Sequence, residues 1–224
     1  MPGRKIPLVN NEFYHVFNKG VASLPTFTNE KEYLRAIEAM DYYRNSNIPL
    51  KFTKFSNLSL KEKTKNLNKL DEQSNRLVLI VSYCFMPNHF HFLLKQVVDG
   101  GISKFVSNFT NSYTRYFNTK NQRTGHLFQG KFKSVRIESE EQLLHVSRYI
   151  HLNPYTAYII KNLKALEKYP YSSFPEYISM VSAGITDKEI VLSNFKNKLE
   201  YKNFVFDNSN YQRELSTIKD HLLE

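Results

Sequence analysis

Apolar residues recur along this chain at two spacings, and the alternation between them lays out an order of elements. Phe13 to Asn18 alternates in the manner of a strand, and Asn29 to Arg44 repeats at helical spacing with Tyr33, Ile37 and Met40 on one side. Arg76 to Phe85 is a second apolar run, closed by the turn signal Pro87-Asn88 and followed by His89-Phe90-His91-Phe92-Leu93-Leu94, which predicts a hairpin. Gly100-Gly101 then introduces a helix carrying Ile102, Phe105, Val106, Phe109, Tyr113 and Tyr116. A short strand is expected over Phe132 to Ile137. Ser139 with Gln142 three residues on is a capping-box start, and Pro154 is a stop signal, so 139 to 153 reads as one helix with Leu143, Val146 and Ile150 inward.

Strand, helix, hairpin, helix, strand, helix predicts an α+β domain, a ferredoxin-like antiparallel sheet packed with helices. Two segments stand outside it. Residues 51 to 75 are rich in lysine and asparagine and read as an insertion or long loop, with a short helix after Ser59 capped by Glu62. Beyond about 178 the pattern weakens: Asp187 to Phe195 and Tyr211 to Leu223 look helical, with Tyr201 to Asp207 a short strand or extended arm between them. The expected organisation is therefore a catalytic domain over 1–178 and a mainly helical extension over 179–224.

Side chains of a strand alternate between faces, so His89 and His91 project together while Phe90 and Phe92 turn to the other side. Two imidazoles on one face can hold a metal, although a polar strand face is the plainer account of an isolated His-x-His. On the helix that follows, positions four apart are neighbours, which puts His145, Tyr149 and Asn153 in one row. A phenol and a carboxamide then share a space.

Four runs are similar to the REP-associated tyrosine transposases, within the wider group of single-tyrosine HUH transposases. They are Tyr14-His15-Val16-Phe17-Asn18-Lys19-Gly20, Met86-Pro87-Asn88-His89-Phe90-His91, Gly125-His126-Leu127-Phe128-Gln129-Gly130-Lys131-Phe132-Lys133, and Tyr149-Ile150-His151-Leu152-Asn153-Pro154. They stand in the family's order between about residues 12 and 177. The resemblance implies an HUH nuclease architecture, RRM-like in topology. It implies attack by Tyr149 on a phosphate of single-stranded or hairpin DNA of the palindromic-repeat kind, giving a 5′-phosphotyrosine link and a free 3′-hydroxyl. It also makes Asn153 the third ligand beside His89 and His91. Two nitrogens and an oxygen with open positions suit Mg²⁺ or Mn²⁺. The chain departs from the pattern after Asn153-Pro154, where Tyr155-Thr156-Ala157-Tyr158 replaces a usual valine, basic residue and small pair.

Two alternatives compete with a DNA strand transferase: a catalytically silent hairpin binder, and a phosphodiesterase in which water attacks. Tyr113 and Tyr116 are the rival nucleophiles, and neither has a ligand four residues later, since Phe117 and Lys120 stand there. His145, one turn before Tyr149, is a candidate proton acceptor, with a surface or structural role the plainer assignment.

Charge changes the picture in one region only. The net charge of +10 over 224 residues attracts polyanions, but abundant Lys, Asn, Ile, Phe and Tyr also follow from AT-rich coding. Between Asp99 and Glu138 no acidic residue occurs, while Arg115, Lys120, Arg123, Lys131, Lys133 and Arg136 alternate with Phe117, His126, Phe128 and Phe132. Cations neutralise phosphates and aromatic faces stack on unpaired bases, so Arg115, Lys120, Arg123, Phe128, Lys131, Lys133 and Arg136 are the expected DNA contacts. Cys84 is the single cysteine, which excludes an intrachain disulfide. No export signal or membrane span is read, and a cytoplasmic protein acting as monomer or homodimer is expected.

Overall fold

A computed structural model describes residues 7–70, 76–179, 184–207 and 209–210. Four strands form one sheet: β1 (Phe13–Lys19), β2 (Val78–Met86), β3 (His89–Gln96) and β4 (Lys133–Ile137), in the spatial order β2-β3-β1-β4. Every neighbouring pair is antiparallel. With helix α1 (Glu30–Tyr43) between β1 and β2 and α4 (Gly101–Lys120) between β3 and β4, this is the ferredoxin-like arrangement expected from the element order.

The sheet has two differently filled faces. Tyr14, Val16, Ile80, Phe85, Phe90, Phe92 and Leu94 point to one, where Ile102, Phe105, Phe109 and Tyr113 of α4 and Ala36 and Met40 of α1 close over them. Phe90, Phe92, Phe105 and Phe109 are fully buried there, each contributing roughly 1.5–3 kcal/mol by the area it withdraws from water. The helix α4 begins hard against β2, because Gly101 passes so close to the Leu77 carbonyl that a Cβ would lie 2.3 Å from its oxygen.

The opposite face is covered by α5 (Glu140–Thr156), which rests on Val81, Cys84, Met86 and Leu93 through Leu143, Ile150 and Leu152. Ser139 caps α5 as its spacing predicts, accepting from Gln142 N, while the Gln142 side chain accepts from Glu138 N. The expected stop at Pro154 is not observed: α5 runs on to Thr156, so Pro154 lies within its last turn. A proline there removes one hydrogen bond, and the burial of Tyr155 and Thr156 holds the turn together.

Two further expectations are corrected. Within 51–70 the helix expected after Ser59 is present as α3 (Leu60–Leu70), while the stretch before it is not a loop but carries α2 (Phe52–Ser56). Phe52 and Phe55 of α2 stack on Tyr42, an apolar anchor three residues apart within a lysine-rich stretch, while Ser59 and Glu62 cap α3 reciprocally. The Tyr201–Asp207 stretch is not extended: it belongs to α8 (Lys198–Asp207), whose Tyr201 and Val205, four apart, are buried. Before it, α6 (Phe174–Ile178) and the short α7 (Glu189–Leu192) fill the remaining side of α5, and the helix expected over 187–195 is only that one turn. The extension thus packs on the core beneath α5. The helix expected over 211–223 lies outside the described residues. Among the described residues no helix is long and apolar enough to cross a membrane.

Candidate active site

The sheet's pairing determines which side chains meet under α5. His91 lies opposite Phe17, His89 opposite Lys19, and Leu93 opposite His15, so His15, Phe17, Lys19, His89 and His91 share the α5 face. The expected projection of His89 and His91 to one side is what the structure shows, with Phe90 and Phe92 in the core behind them. Their rings are edge to face, 5.0 Å between centroids.

Tyr149, on α5, comes down beside this group. Its ring is edge-on to His91 at 5.5 Å and to His15 at 5.8 Å, yet 39% of the residue remains exposed. Partial burial raises its pKa above the ordinary tyrosine value, and a hydrogen bond from the Asn153 side chain acts in the opposite direction. Asn153 is one turn on and almost buried, its amide nitrogen donating to the Tyr149 carbonyl at 3.0 Å. That fixes the group and leaves its oxygen, the atom that can ligate a cation.

The histidines are held in the state a ligand needs. His89 Nδ1 lies 2.6 Å from Asn88 Oδ1, an acceptor, so Nδ1 carries the proton and Nε2 keeps its lone pair. His15 Nε2 and His91 Nδ1 share a hydrogen bond of 2.9 Å. In the tautomer in which His91 donates, its own Nε2 is free for a cation, the arrangement usual for a histidine ligand with an outer partner. Burial lowers the pKa of His15 to about 4 and, with a nearby Lys19, that of His89 to about 4. His91, buried and flanked by His89 and His15, is pushed further down. All three are neutral at physiological pH.

Among the described residues no three His, Cys, Asp or Glu side chains cluster as a metal site on their own. The donor set therefore fits a divalent cation only if two imidazoles and a carboxamide oxygen are completed by water or by the phosphate of a substrate. Hard cations that retain open positions accept that arrangement.

The sequence reading missed His15. It lay within the Tyr14 to Gly20 run, and strand alternation from Phe13 already placed it on one face with Phe17 and Lys19. Only the β1–β3 pairing brings it to His91. Gly20, which ends this run, has no space for a side chain: a Cβ would lie 2.4 Å from the Leu24 carbonyl oxygen. His145 has other partners. It engages Arg148 at 2.5 Å and stands 3.6 Å from Glu141, on the side of α5 that faces Phe204.

Of the expected DNA contacts, some are gathered near the histidines and others are not. Lys131 and Lys133 line a cleft of about 360 Å³ together with Phe17, Lys19, His89, Gln129 and Gly130. Phe128, in contrast, is buried against Phe27, Phe90 and Tyr113 and has no face to offer a base. Lys120 is joined at 2.7 Å to Glu32, a buried carboxylate that also accepts from Thr28 N and Oγ1, so its charge serves the α1–α4 contact. Arg115 opens on the far side of the sheet, in a cleft of about 420 Å³ with Tyr43, Lys51, Asn108 and Asn111. Arg123 donates to the His126 carbonyl at 3.4 Å and lies over Phe117, shaping the loop, and Arg136 pairs with Glu12 at 2.9 Å on the surface. Tyr113 is enclosed and donates to the Thr26 carbonyl at 2.6 Å, consistent with the preference for Tyr149.

Comparison with known proteins agrees with the geometry. Residues 54–153 match the family "Transposase IS200 like". The solved structure described as the REP-associated tyrosine transposase bound to a REP hairpin shares the fold, with a TM-score of 0.54 and 14% identity over 83% of this chain and 90% of that one. A tRNA(His) guanylyltransferase from Saccharomyces cerevisiae gives 13% identity over 91% of this chain and 80% of that one, at a TM-score of 0.36 that carries no argument. No curated protein matches the chain significantly. The resemblance read from the four runs agrees with the family match over residues 54–153 and with the shared fold.

Proposed function

We propose that this protein is a transposase-like, metal-dependent endonuclease and strand transferase of single-stranded, hairpin-containing DNA, with Tyr149 as its nucleophile. The observation that carries the reading is Tyr149 itself: half-exposed, on a rigid helix, and edge-on to His91 at 5.5 Å. An accessible phenol beside neutral imidazoles is suited to attack a phosphate that those imidazoles help to hold through a cation.

His89 Nε2, His91 Nε2 and the Asn153 side-chain oxygen would hold Mg²⁺ or Mn²⁺, which when bound supplies charge that polarises and aligns the scissile phosphate. The Tyr149 oxygen forms a new bond to phosphorus, the bond from phosphorus to the 3′ oxygen breaks, and the phenol proton is passed on as the 3′-hydroxyl is made. Its raised pKa means that the proton leaves during attack rather than before it. One phosphodiester bond is exchanged for another, so the 3′-hydroxyl can reverse the step and rejoining needs no external energy. His15 keeps the His91 tautomer and orientation. The catalytic part is taken as residues 1–178, with α7 and α8 of the extension packed against α5.

The reading is tested by incubating the protein with a hairpin flanked by single strands and Mg²⁺, then mapping any protein–DNA adduct by peptide sequencing. The expected adduct is at Tyr149. Cleavage without an adduct would assign the attack to water and leave Tyr149 a positioning group, binding without cleavage would leave a silent hairpin binder, and an adduct at Tyr116 would displace the assignment.

A further inference from the structure

The cleft beside His89 has a construction of its own. Where β1 ends, the chain from Leu127 to Gln129 runs alongside it: Val21 N donates to the Leu127 carbonyl at 3.0 Å, Gly20 bridges Phe128, and Gln129 N donates to the Lys19 carbonyl at 2.8 Å. Gly130, at φ +22°, then leads the chain away, and Lys133 returns to pair with Phe17 at the start of β4. The gap between departure and return is the cleft. Its lining comprises Phe17, Asn18, Lys19, His89, Gln129, Gly130, Lys131 and Lys133, with no acidic residue among them.

The cleft lies on the same face as the proposed reaction centre and shares His89 with it. Phe17 is half-buried, its ring tilted against His91 at 5.6 Å and His15 at 5.0 Å, so the active-site histidines hold it from behind. Lys19 is exposed, close enough to His89 to depress the imidazole's pKa, and Lys133 and Gln129 are exposed as well. An aromatic wall, ammonium groups at the rim and one amide able both to donate and to accept are the elements that hold an unpaired base and its backbone. At about 360 Å³ the cleft is at the small end of ligand sites, which favours a single base over a longer stacked run.

We propose that this cleft takes one unstacked base of the DNA strand next to the phosphate that Tyr149 attacks. Phe17 supports its face, Lys19 and Lys133 bind the phosphates on either side of it, and Gln129 reads its edge. The inference rests on the proposed function, and it makes the cleft a determinant of where the strand is cut.

The experiment replaces each nucleotide around the mapped cleavage point in turn with an abasic unit, and measures both binding and adduct formation. One position is expected to cost wild type roughly tenfold or more in binding, the worth of a lost base–aromatic stack. Phe17→Ala should lose a similar factor on the intact strand and nothing more on that abasic strand. Gln129→Ala, at an exposed position, should relax the base preference there alone, and it carries the test if Phe17→Ala does not fold. Adduct formation with no sensitive position overturns the base site and leaves the tyrosine reading standing. One sensitive position in binding, without any adduct, keeps the base site and removes the tyrosine reading.

Discussion

Helix α5 presents two histidine constellations, one on each side, and they share burial but not chemistry. On one side Tyr149 approaches His15, His89 and His91. On the other, fully buried His151 has both nitrogens engaged, Nδ1 with the Tyr201 hydroxyl and Nε2 with Ser173 Oγ, each at 2.7 Å, and Tyr201 also meets Ser147 Oγ at 2.8 Å. Burial depresses His151 to a pKa of about 3, in the same direction as the histidines of the proposed site. A shifted pKa therefore does not distinguish them. What does is the number of ring nitrogens with a partner: His89 and His91 are each hydrogen-bonded through Nδ1, whereas His151 is hydrogen-bonded through both nitrogens. The second constellation ties α5, the helix that carries Tyr149, to the start of α6 and to α8.

The sharpest contrast is between two tyrosines. Tyr149→Phe should reduce adduct formation below detection while leaving the thermal midpoint and hairpin binding nearly unchanged, because only a half-exposed hydroxyl is removed. Tyr201→Phe should keep the adduct but lower stability by about 1–2 kcal/mol, since His151 and Ser147 lose their shared partner in a buried setting. A comparison of adduct yield with thermal unfolding for both variants decides this, and equal loss of activity would merge the two constellations into one.

Removing a ligand should be graded by ligand strength. His89→Ala or His91→Ala should abolish cleavage at any practical Mg²⁺ or Mn²⁺ concentration. Asn153→Ala should raise the concentration required by roughly tenfold, as a neutral oxygen can be replaced by water. A metal titration superimposable on wild type would return Asn153 to a helix-end role.

Acid should act on both sides, and the share of His151 is the one that can be removed without touching the proposed site. An unfolded imidazole takes up its proton near 6.5 and the folded His151 only at about 3, so between those values the unfolded chain holds the extra proton and stability falls as pH falls. The loss is about 1.4 kcal/mol per pH unit for that one group. His151→Phe, of similar size, should be somewhat less stable at neutral pH and flatter below pH 6 in urea unfolding. An unchanged slope would place the acid sensitivity in the other histidines.

The smallest effects separate lysines that face the cleft from one spent on structure. Lys19→Ala or Lys133→Ala should each reduce the log–log salt slope of single-stranded DNA binding by about 0.7. Lys120→Ala should leave that slope alone and instead lower stability, because Glu32 loses its cation. Fluorescence titrations at several salt concentrations, with thermal melts beside them, provide the readout.

The sequence by itself determined the order of the main elements and the projection of His89 and His91 to one face of the hairpin, because period-2 and period-3.6 patterns are local properties of the chain. It located the cap of α5 at Ser139 for the same reason. It misjudged 52–56, where two phenylalanines among lysines were enough to anchor α2 on Tyr42, and 201–207, where burial of Tyr201 and Val205 overrode a β-like composition. It assigned Phe128 and Lys120 to DNA because composition cannot tell which way a side chain turns. Tertiary structure alone put β1 between β3 and β4, and so brought His15 to His91 and Lys19, Lys133 and Gln129 around one cleft. It also sent α5 to the face opposite α1 and α4, which is what sets Tyr149 above the histidines. These are contacts between residues far apart in sequence, set by strand pairing and by which helix covers which face, and no local pattern encodes them.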